Sequence, residues 1–423
     1  MRRSPAGLRL PAHEATTAHL GAIYPFSASG RLGVGRVLVG RDLAGNPFCH
    51  DPFELYRAGI VTNPNITVLG QIGRGKSSLV KSYLLRQAAF GRRVAVLDPK
   101  GEYGPLARAL GVEPIELAPG RGRRVNPLEW AEAPPEEARL GRLTLLGALA
   151  EASLRRRLSP GERLCLEIAL DSCRRDERRP PTLARVVAAL LSPRAEEAAS
   201  AGLSEPELVA EGRQVGLELR RLAAGDLAGM FDGETSGDLG TGRHLVVDLS
   251  QVYHSEALPA LMVCAASWLQ AVTAAAGREG SQSLLVVDEA WAVLSEVAVA
   301  RYLRSSWKLA RARGLANVAV CHRASDLEAA GAGGSEEARL AEGLLADSET
   351  VVCYAQPASE LSLLAGLLGC SPEELSYLPQ LGRGVALWRV GTRRFLVEHL
   401  LGPAEAALVD TDGRLGGPAR AAT

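Results

Sequence analysis

The segment Gly70-Gln71-Ile72-Gly73-Arg74-Gly75-Lys76-Ser77, with the Ser78 that follows it, decides the fold of this chain. It fits the spacing G-x-x-x-x-G-K-[ST] at every defined position, and in that pattern glycines let backbone N–H groups turn toward phosphate oxygens. The lysine of the pattern reaches the β- and γ-phosphates, and the next hydroxyl ligates Mg²⁺. The segment therefore predicts a loop that binds a nucleoside triphosphate, with Lys76 on the phosphates and Ser77 on the metal.

The residues on either side of this loop have the periodicity that the pattern requires. An apolar run at 66–69 precedes it, a helical spacing follows from Lys76 to about Phe90, and Gly91 suits the end of that helix. A second apolar run lies at 94–97. Strand, helix and strand in this order predict a βαβ unit with a parallel sheet. A chance match in a chain with 45 glycines is the alternative, and these flanks argue against it.

A second motif is the apolar run at 284–287 that ends in two carboxylates, Asp288 and Glu289. At the end of a buried strand, one carboxylate can hold Mg²⁺ directly or through water, and the other can polarise the attacking water. Acidic strand ends are common when they stand alone. Downstream of a phosphate-binding loop, the pair predicts that Asp288 supports the metal and that Glu289 is catalytic. The apolar run at 245–249 lies between the two motifs, as in the P-loop class that carries a catalytic glutamate.

Periodicity and composition divide the chain into parts with different predicted structures. The core is an α/β fold with a parallel central sheet, interrupted by an all-α insertion that is rich in Ala, Leu, Arg and Glu. Two β-like runs at 385–390 and 394–398 flank Gly391 and Thr392 and predict a C-terminal β-hairpin. The predicted boundaries are a short N-terminal lead-in with β-like segments at 1–60, the discontinuous core at 61–128 and 235–400, the insertion at 129–234, and a disordered tail at 401–423.

Composition limits the partners and the compartment. Lys+Arg and Asp+Glu are equal at 48 each, so no whole-surface attraction to nucleic acid is indicated, although a local basic strip stays open. The seven cysteines include no CxxC pair, which indicates buried thiols in a reducing compartment and no zinc site. The N-terminus lacks a secretory apolar segment, and no uninterrupted apolar stretch approaches about 18 residues, so we expect a cytoplasmic chain with no transmembrane segment.

Taken together, the motifs resemble the HerA/FtsK superfamily of ring-shaped motor ATPases. Within that superfamily, the chain is most similar to the ATPase domain of the conjugation and type IV secretion ATPases, the VirB fourth-component or TraC-like group. The resemblance covers roughly residues 55–400. Its carriers are GQIGRGKSS (70–78), DPKGEY (98–103), NPL (126–128), MFDGET (230–235), LLVVDEAW (284–291) and the segment 310–327.

This resemblance implies a RecA-like P-loop core, ATP with Mg²⁺ as cofactors, and a homo-oligomer, expected to be a hexamer. It also implies an arginine that reaches the γ-phosphate of the neighbouring subunit, for which Arg311 matches best and Arg313 second; a solvated helix end is the alternative. Members of the family usually carry a γ-phosphate-sensing glutamine after the next strand, where this chain has His322. We therefore expect the sensor role to be kept with altered chemistry, since the charge of histidine changes near neutral pH.

The function that the resemblance implies is a motor that energises DNA or protein transfer through a conjugation or type IV secretion apparatus. Channel proteins would be its partners, at the inner face of the cell membrane, although only about sixty residues precede the P-loop strand where the family has a long docking domain. Two alternatives stay open. One is a DNA translocase or helicase of the same superfamily, and the other is a nucleotide-dependent assembly scaffold with little turnover.

Overall fold

A computed structural model of the protein describes residues 32, 33, 35, 37–130, 133–175, 179–237, 239–294, 296–323, 343 and 346–409. The chain divides into two compact units. The first unit comprises 1–91, 320–326 and 345–423, and the second comprises 92–319 and 327–344. The boundary at Gly91 falls inside the segment 61–128, which the sequence assigned to one core.

The fold is α/β, and its elements alternate along most of the chain. The strands are β1 (Leu38–Asp42), β2 (Pro47–Cys49), β3 (Ile66–Leu69), β4 (Arg93–Asp98), β5 (Ile115–Glu116), β6 (His244–Asp248), β7 (Ser283–Val287), β8 (Leu315–Cys321), β9 (Thr350–Tyr354), β10 (Val385–Val390) and β11 (Arg393–His399). The helices are α1 (Pro52–Arg57), α2 (Lys76–Ala89), α3 (Gly104–Ala109), α4 (Pro135–Leu154), α5 (Pro160–Arg174), α6 (Leu183–Leu191), α7 (Ala195–Ser200), α8 (Glu205–Ala224), α9 (Leu258–Arg278), α10 (Ala290–Leu294), α11 (Val297–Leu309), α12 (Leu361–Leu368), α13 (Pro372–Tyr377) and α14 (Pro403–Val409).

The first unit contains the strand that leads into the glycine loop. Its strands follow the order β2-β1-β11-β10-β9-β3. β3 is parallel to β9, whereas β9, β10, β11, β1 and β2 pair antiparallel in turn. β10 and β11 form the predicted C-terminal hairpin, with Val390 opposite Arg393 across the turn. All four residues of β3 are buried, as expected for a parallel strand covered on both faces.

The second unit is built on a parallel sheet with the strand order β8-β7-β4-β6-β5. Because neighbouring parallel strands keep one direction, their carboxyl ends meet at one edge. Asp98 of β4 pairs in register with Asp248 of β6, and Leu97 with Val287 of β7. The residues after β7, Asp288 and Glu289, are thus placed at the same edge as Asp98.

Five helices, α4 to α8, occupy the segment 129–234 of the second unit, and the described residues of this segment contain no strand. Sequence signals for helix starts are visible here. Ser159 and Glu162 form a capping box at the start of α5, and Thr182 accepts a hydrogen bond from the backbone N–H of Arg185 at the start of α6. These helices bury their apolar faces mainly against one another and against α9 and α11.

The last segment departs from the expected disordered tail. Residues 403–409 form α14, which packs on α2, while residues 410–423 lie outside the described residues. The physical reason is a pair of charges on different helices, because Arg86 of α2 lies 2.6 Å from Glu405 of α14 and both side chains are largely buried. Leu408 adds apolar burial on the same helix. The composition of the tail gave no sign of this long-range pair.

The helix α9 is the one candidate membrane span among the described residues, by length and composition alone. Of its most apolar window, 78% is buried inside the protein, and its Trp268 is fully covered. A core helix passes the same test, so this finding is weak evidence for a span. Continuous apolarity here reflects a helix surrounded by other elements of its own unit.

Replacing Gly277 by alanine should destabilise the second unit. Gly277 lies in the last turn of α9, and a Cβ there would stand 2.0 Å from the carbonyl oxygen of Arg313. Because that backbone cannot yield without moving the end of the helix, we expect Gly277→Ala to lower the free energy of unfolding by about 1–3 kcal/mol, the usual cost of overpacking. Urea denaturation measures this change.

The matched control is Gly147→Ala in α4. A Cβ at Gly147 would meet no atom within 4 Å. Alanine is the better helix former, so this variant should be neutral or gain up to about 1 kcal/mol. Equal effects at the two glycines would show that the approach of Arg313 does not constrain Gly277.

Candidate functional site

The glycine loop in the first unit connects β3 to α2 and is held by the neighbouring backbone. The N–H of Gln71 donates to the carbonyl of Ala355 at 3.3 Å, and the N–H of Gly384 donates to the carbonyl of Arg74 at 3.0 Å. Gly73 has φ +78° and Gly75 has φ +112°, which are backbone conformations that residues other than glycine rarely adopt. The glycines of the motif are therefore required by the path of the backbone.

Lys76 is folded against the loop that it follows. Its side chain is buried, and its ammonium donates to the carbonyl oxygen of Gly70 and to that of Gln71 at 3.1 Å. A buried ammonium held by loop carbonyls is a cation fixed at the place where the motif predicts phosphate.

The start of α2 adds donors to this cation. Lys76, Ser77 and Ser78 are its first residues, Gly75 offers no capping side chain, and no acidic residue stands in the first turn. A helix start without a capping side chain carries partial positive charge and backbone N–H groups that suit an anion. Ser77 and Ser78 are half-buried, so both residues keep some exposure to solvent. The residues present fit Mg²⁺ with a nucleoside triphosphate, and Ile72 projects at the tip with 80% of its surface exposed.

The end of β9 contributes residues that the sequence did not single out. A Cβ on Gly70 would stand 2.4 Å from Cβ of Tyr354, so glycine is needed where the loop leaves β3. The carboxamide of Gln356 is buried, and its nitrogen donates to the carbonyl of His322 at 3.5 Å. His322 itself is half-buried directly after β8. The structure thus brings His322, Gln356 and the loop-binding Ala355 to one end of the first unit's parallel strands, a grouping with no local sequence signal.

In the second unit, Asp288 is a buried carboxyl at the carboxyl edge of the parallel sheet, where β4 ends in Asp98 and β6 ends in Asp248. We call this the acidic edge. It is 6% exposed, and its Oδ1 accepts the N–H of Glu289 at 2.9 Å. Burial, followed by the nearby charge of Glu289, raises the pKa of Asp288 to about 6. Burial likewise raises the pKa of Asp98 to about 7, against the opposing hydrogen bonds from the backbone of Tyr103 and Glu102. Two neighbouring acids that are costly to ionise favour a bound cation, which would lower both pKa values.

Glu289 has an unusual backbone and two partners for its carboxylate. Its φ is +51°, the left-handed region that non-glycine residues seldom occupy. Lys100 lies 2.5 Å from Oε1, and the indole N–H of Trp291 donates to Oε2. Strained backbone at a strand end is frequent at functional sites. The geometry therefore adds to the sequence prediction that Glu289 is a chemical rather than a packing residue.

The two candidate arginines differ in their surroundings. Both lie in the short 3₁₀ turn at Ala310–Arg313. Arg313 is bound within its own unit, 2.5 Å from Glu137 and with its guanidinium 5.3 Å from the ring centre of Trp130. Arg311 is exposed. Of the two, Arg311 is the one whose position is compatible with reaching another subunit.

Two further motifs of the resemblance meet inside the second unit. The N–H of Asn126 donates to the hydroxyl of Thr235 at 3.0 Å, and the N–H of Val125 donates to the carbonyl of Met230 at 2.9 Å. Asn126 is fully buried, and its amide also donates to the carbonyl of Pro181. The contacts of these two segments therefore support the fold of the second unit.

No family model matches the chain, and no curated protein matches it. Several solved structures do. The structure of VirB4 of Thermoanaerobacter pseudethanolicus is 24% identical, with a TM-score of 0.72 over 88% of this chain and 98% of that one. The bacterial conjugative coupling protein TrwBΔN70 is 15% identical, with a TM-score of 0.59 over 95% of this chain and 94% of that one. TrwB in complex with ADP and Mg²⁺ is 15% identical, with a TM-score of 0.57 over 87% and 90%.

At these identities the likeness establishes the fold, that of a RecA-like P-loop ATPase. The structural neighbours are of the kind that the motifs resembled, so the expected fold class is confirmed. Among the described residues, no group of three or more His, Cys, Asp and Glu side chains is arranged to hold a metal ion by itself. In P-loop proteins Mg²⁺ takes most of its ligands from a hydroxyl, water and phosphates, so a bound Mg²⁺ does not require such a group.

Proposed function

We propose that this chain is an ATP-hydrolysing motor that energises transfer of DNA or protein through a conjugation or type IV secretion apparatus. The observation that carries the proposal is the glycine loop in which the buried ammonium of Lys76 stands at the start of α2. The fold is similar to that of VirB4 over 88% of the chain. This similarity supports the choice of a conjugation or type IV secretion apparatus as the one with which the motor works.

ATP and Mg²⁺ are the proposed cofactors. The backbone of Gly70 to Ser78 surrounds the phosphates, Lys76 neutralises the β- and γ-phosphate oxygens, and the Ser77 hydroxyl and Asp288 hold the metal. Bound Mg²⁺ supplies charge neutralisation for phosphoryl transfer. A TrwB structure with ADP and Mg²⁺ and another with an ATP analogue support this choice of ligands.

Glu289 is the proposed general base. Its carboxylate polarises the water that attacks the γ-phosphate. His322 replaces the family's glutamine as the group that senses the γ-phosphate, through its ring nitrogen rather than an amide. The half-buried position of His322 after β8 supports that role.

The motor is proposed to act as a homo-hexamer in which Arg311 reaches the nucleotide of the neighbouring subunit. An arginine there stabilises charge that develops in the transition state. Its exposure, beside an Arg313 that is bound to Glu137, supports the choice of Arg311. The proposed partners are channel proteins, at the cytoplasmic face of the membrane.

Arg311→Ala protein should turn over ATP at least about 10³-fold more slowly, the lower range for arginine fingers, and mixing it with Glu289→Gln protein should restore part of the rate. Restoration is expected because a mixed interface can pair an intact Glu289 with an intact Arg311 from its neighbour. Steady-state phosphate release measures it, and Arg313→Ala is the comparison variant. A verified mixed ring with no restored turnover would contradict a finger that acts between subunits.

The function itself is tested by ATP hydrolysis with and without single- and double-stranded DNA, beside Glu289→Gln protein as the blank. Slow turnover that is indifferent to DNA supports a secretion motor that needs its channel partners. Strong stimulation by DNA would support a translocase in its own right, and turnover no greater than the blank would support the scaffold. The zero net charge of the chain favours the first result.

A further inference from the structure

Inside the second unit, each carboxylate oxygen of Glu289 contacts a polar side chain. The ammonium of Lys100 lies 2.5 Å from Oε1, and the indole N–H of Trp291 donates to Oε2. The Glu289 side chain is 3% exposed and that of Lys100 is 28% exposed. A carboxylate so deeply buried needs charged and polar partners to stay ionised and in one place.

The loop that carries Lys100 is itself fixed at the acidic edge. Asp98 accepts the N–H of Lys100 at 3.2 Å, that of Gly101 at 2.8 Å and that of Tyr103 at 2.8 Å. Gly101 has φ +72°, and a Cβ there would stand 3.1 Å from the side chain of Ser250. The Asp98 carboxyl therefore holds the turn that places Lys100 beside Glu289. These contacts explain why the DPKGEY segment has an aspartate, a lysine and a glycine at these positions.

The surroundings of the ammonium favour this placement. Lys100 also lies 5.9 Å from the ring centre of Tyr253, within the range of a cation–π contact. The pKa of Lys100 is raised, because its hydrogen bond to Glu289 and the charge of Glu289 outweigh the effect of burial. The ammonium is thus a lasting positive charge beside a glutamate whose own backbone is strained.

We propose that Lys100 is a positioning residue for Glu289: it fixes the direction of the carboxylate and balances its charge. This inference rests on the proposed function of Glu289 as the base. With Lys100 removed, the carboxylate keeps Trp291 but loses the partner that sets Oε1. A misplacement of about 1 Å can cost 10²-fold in rate, so the effect falls on the chemical step.

Lys100→Met should lower kcat for ATP about 10- to 100-fold and leave nucleotide affinity within about 2-fold of wild type. Lys100→Arg keeps the charge and should recover part of kcat. The control is Arg139→Met, which removes a 2.8 Å ion pair to Asp171 elsewhere in the second unit and should leave kcat unchanged. An unchanged kcat in Lys100→Met would overturn the proposal, and so would nucleotide affinity weakened more than about 10-fold, which would make Lys100 a phosphate ligand.

The Lys100–Glu289 ion pair is tested independently of catalysis by comparing thermal unfolding midpoints of the single and double variants without nucleotide. Lys100→Met should lower the midpoint by about 5 °C because it leaves Glu289 buried without its cation, and the double variant with Glu289→Gln should recover much of that loss. No recovery would overturn the ion pair. Wild-type turnover equal to the Glu289→Gln blank would instead contradict the proposed function and the catalytic role of Lys100, while a recovered midpoint would still support the ion pair.

Discussion

Lys76→Ala protein is expected to bind ATP at least about 100-fold more weakly than wild type, a loss of about 2.7 kcal/mol. The ammonium of Lys76 donates hydrogen bonds to the carbonyls of Gly70 and Gln71, and these bonds hold it against the loop without a bound phosphate. Its removal deletes the cation that we propose neutralises two phosphates, and charge-assisted hydrogen bonds are among the strongest in proteins. Equilibrium binding of a fluorescent ATP analogue with Mg²⁺ measures the effect.

The control for this variant is Lys308→Ala, which removes an exposed lysine of α11. It carries the same loss of charge without touching the loop, so ATP affinity should stay at the wild-type value. Unchanged affinity in Lys76→Ala would contradict the assignment of the glycine loop. The fold of both variants is checked by their unfolding midpoints, which an alanine in the first turn of α2 should change little.

Glu289→Gln protein should bind ATP about as well as wild type and hydrolyse it at least about 10²-fold more slowly. Glutamine keeps the shape of the side chain and the hydrogen bond from Trp291, but it cannot take a proton from water. The variant also loses the charge that pairs with Lys100. Phosphate release under saturating ATP separates this effect from binding.

The matched control is Glu279→Gln, at an exposed carboxylate that follows α9 in the same unit. It should turn over ATP at the wild-type rate. If Glu289→Gln retained wild-type turnover, the base would have to be another group, and Asp288 and Asp98 are the other buried carboxyls at this edge of the sheet.

Much of the fold follows from short sequence patterns. The apolar runs at 66–69, 94–97 and 284–287 are strands, and the helical spacing after Lys76 is α2, because buried parallel strands and a helix after a glycine loop have strong local signals. The hairpin of β10 and β11 was equally predictable from the turn residues between them.

Weaker local signals hid other elements. β5 has only two residues and α3 has six, beginning with Gly104 and a proline, so neither is long enough to show a repeating pattern. The helix α14 was expected as part of a tail, because its ion pair to Arg86 joins distant parts of the chain. Periodicity reports one segment at a time and cannot report such a pair.

The candidate residues divide in the same way. The glycine loop and the Asp288–Glu289 strand end were recognisable because their spacing is local. The partners of Glu289 were not, since Lys100 reaches it from another strand end of the sheet. The choice between Arg311 and Arg313 stays a proposal, and it draws on the exposure of Arg311 and the half-buried position of Arg313, which the local sequence does not show.

Steady-state ATP hydrolysis by the purified wild-type protein with Mg²⁺, beside Glu289→Gln protein at equal concentration, tests whether this chain is a hydrolytic motor. We expect turnover that exceeds this blank by at least about 10²-fold, because the proposed base is the only difference between the two samples. Phosphate release from wild-type protein no faster than from a sample without protein, with ATP bound, would contradict a hydrolytic motor and leave a nucleotide-binding scaffold.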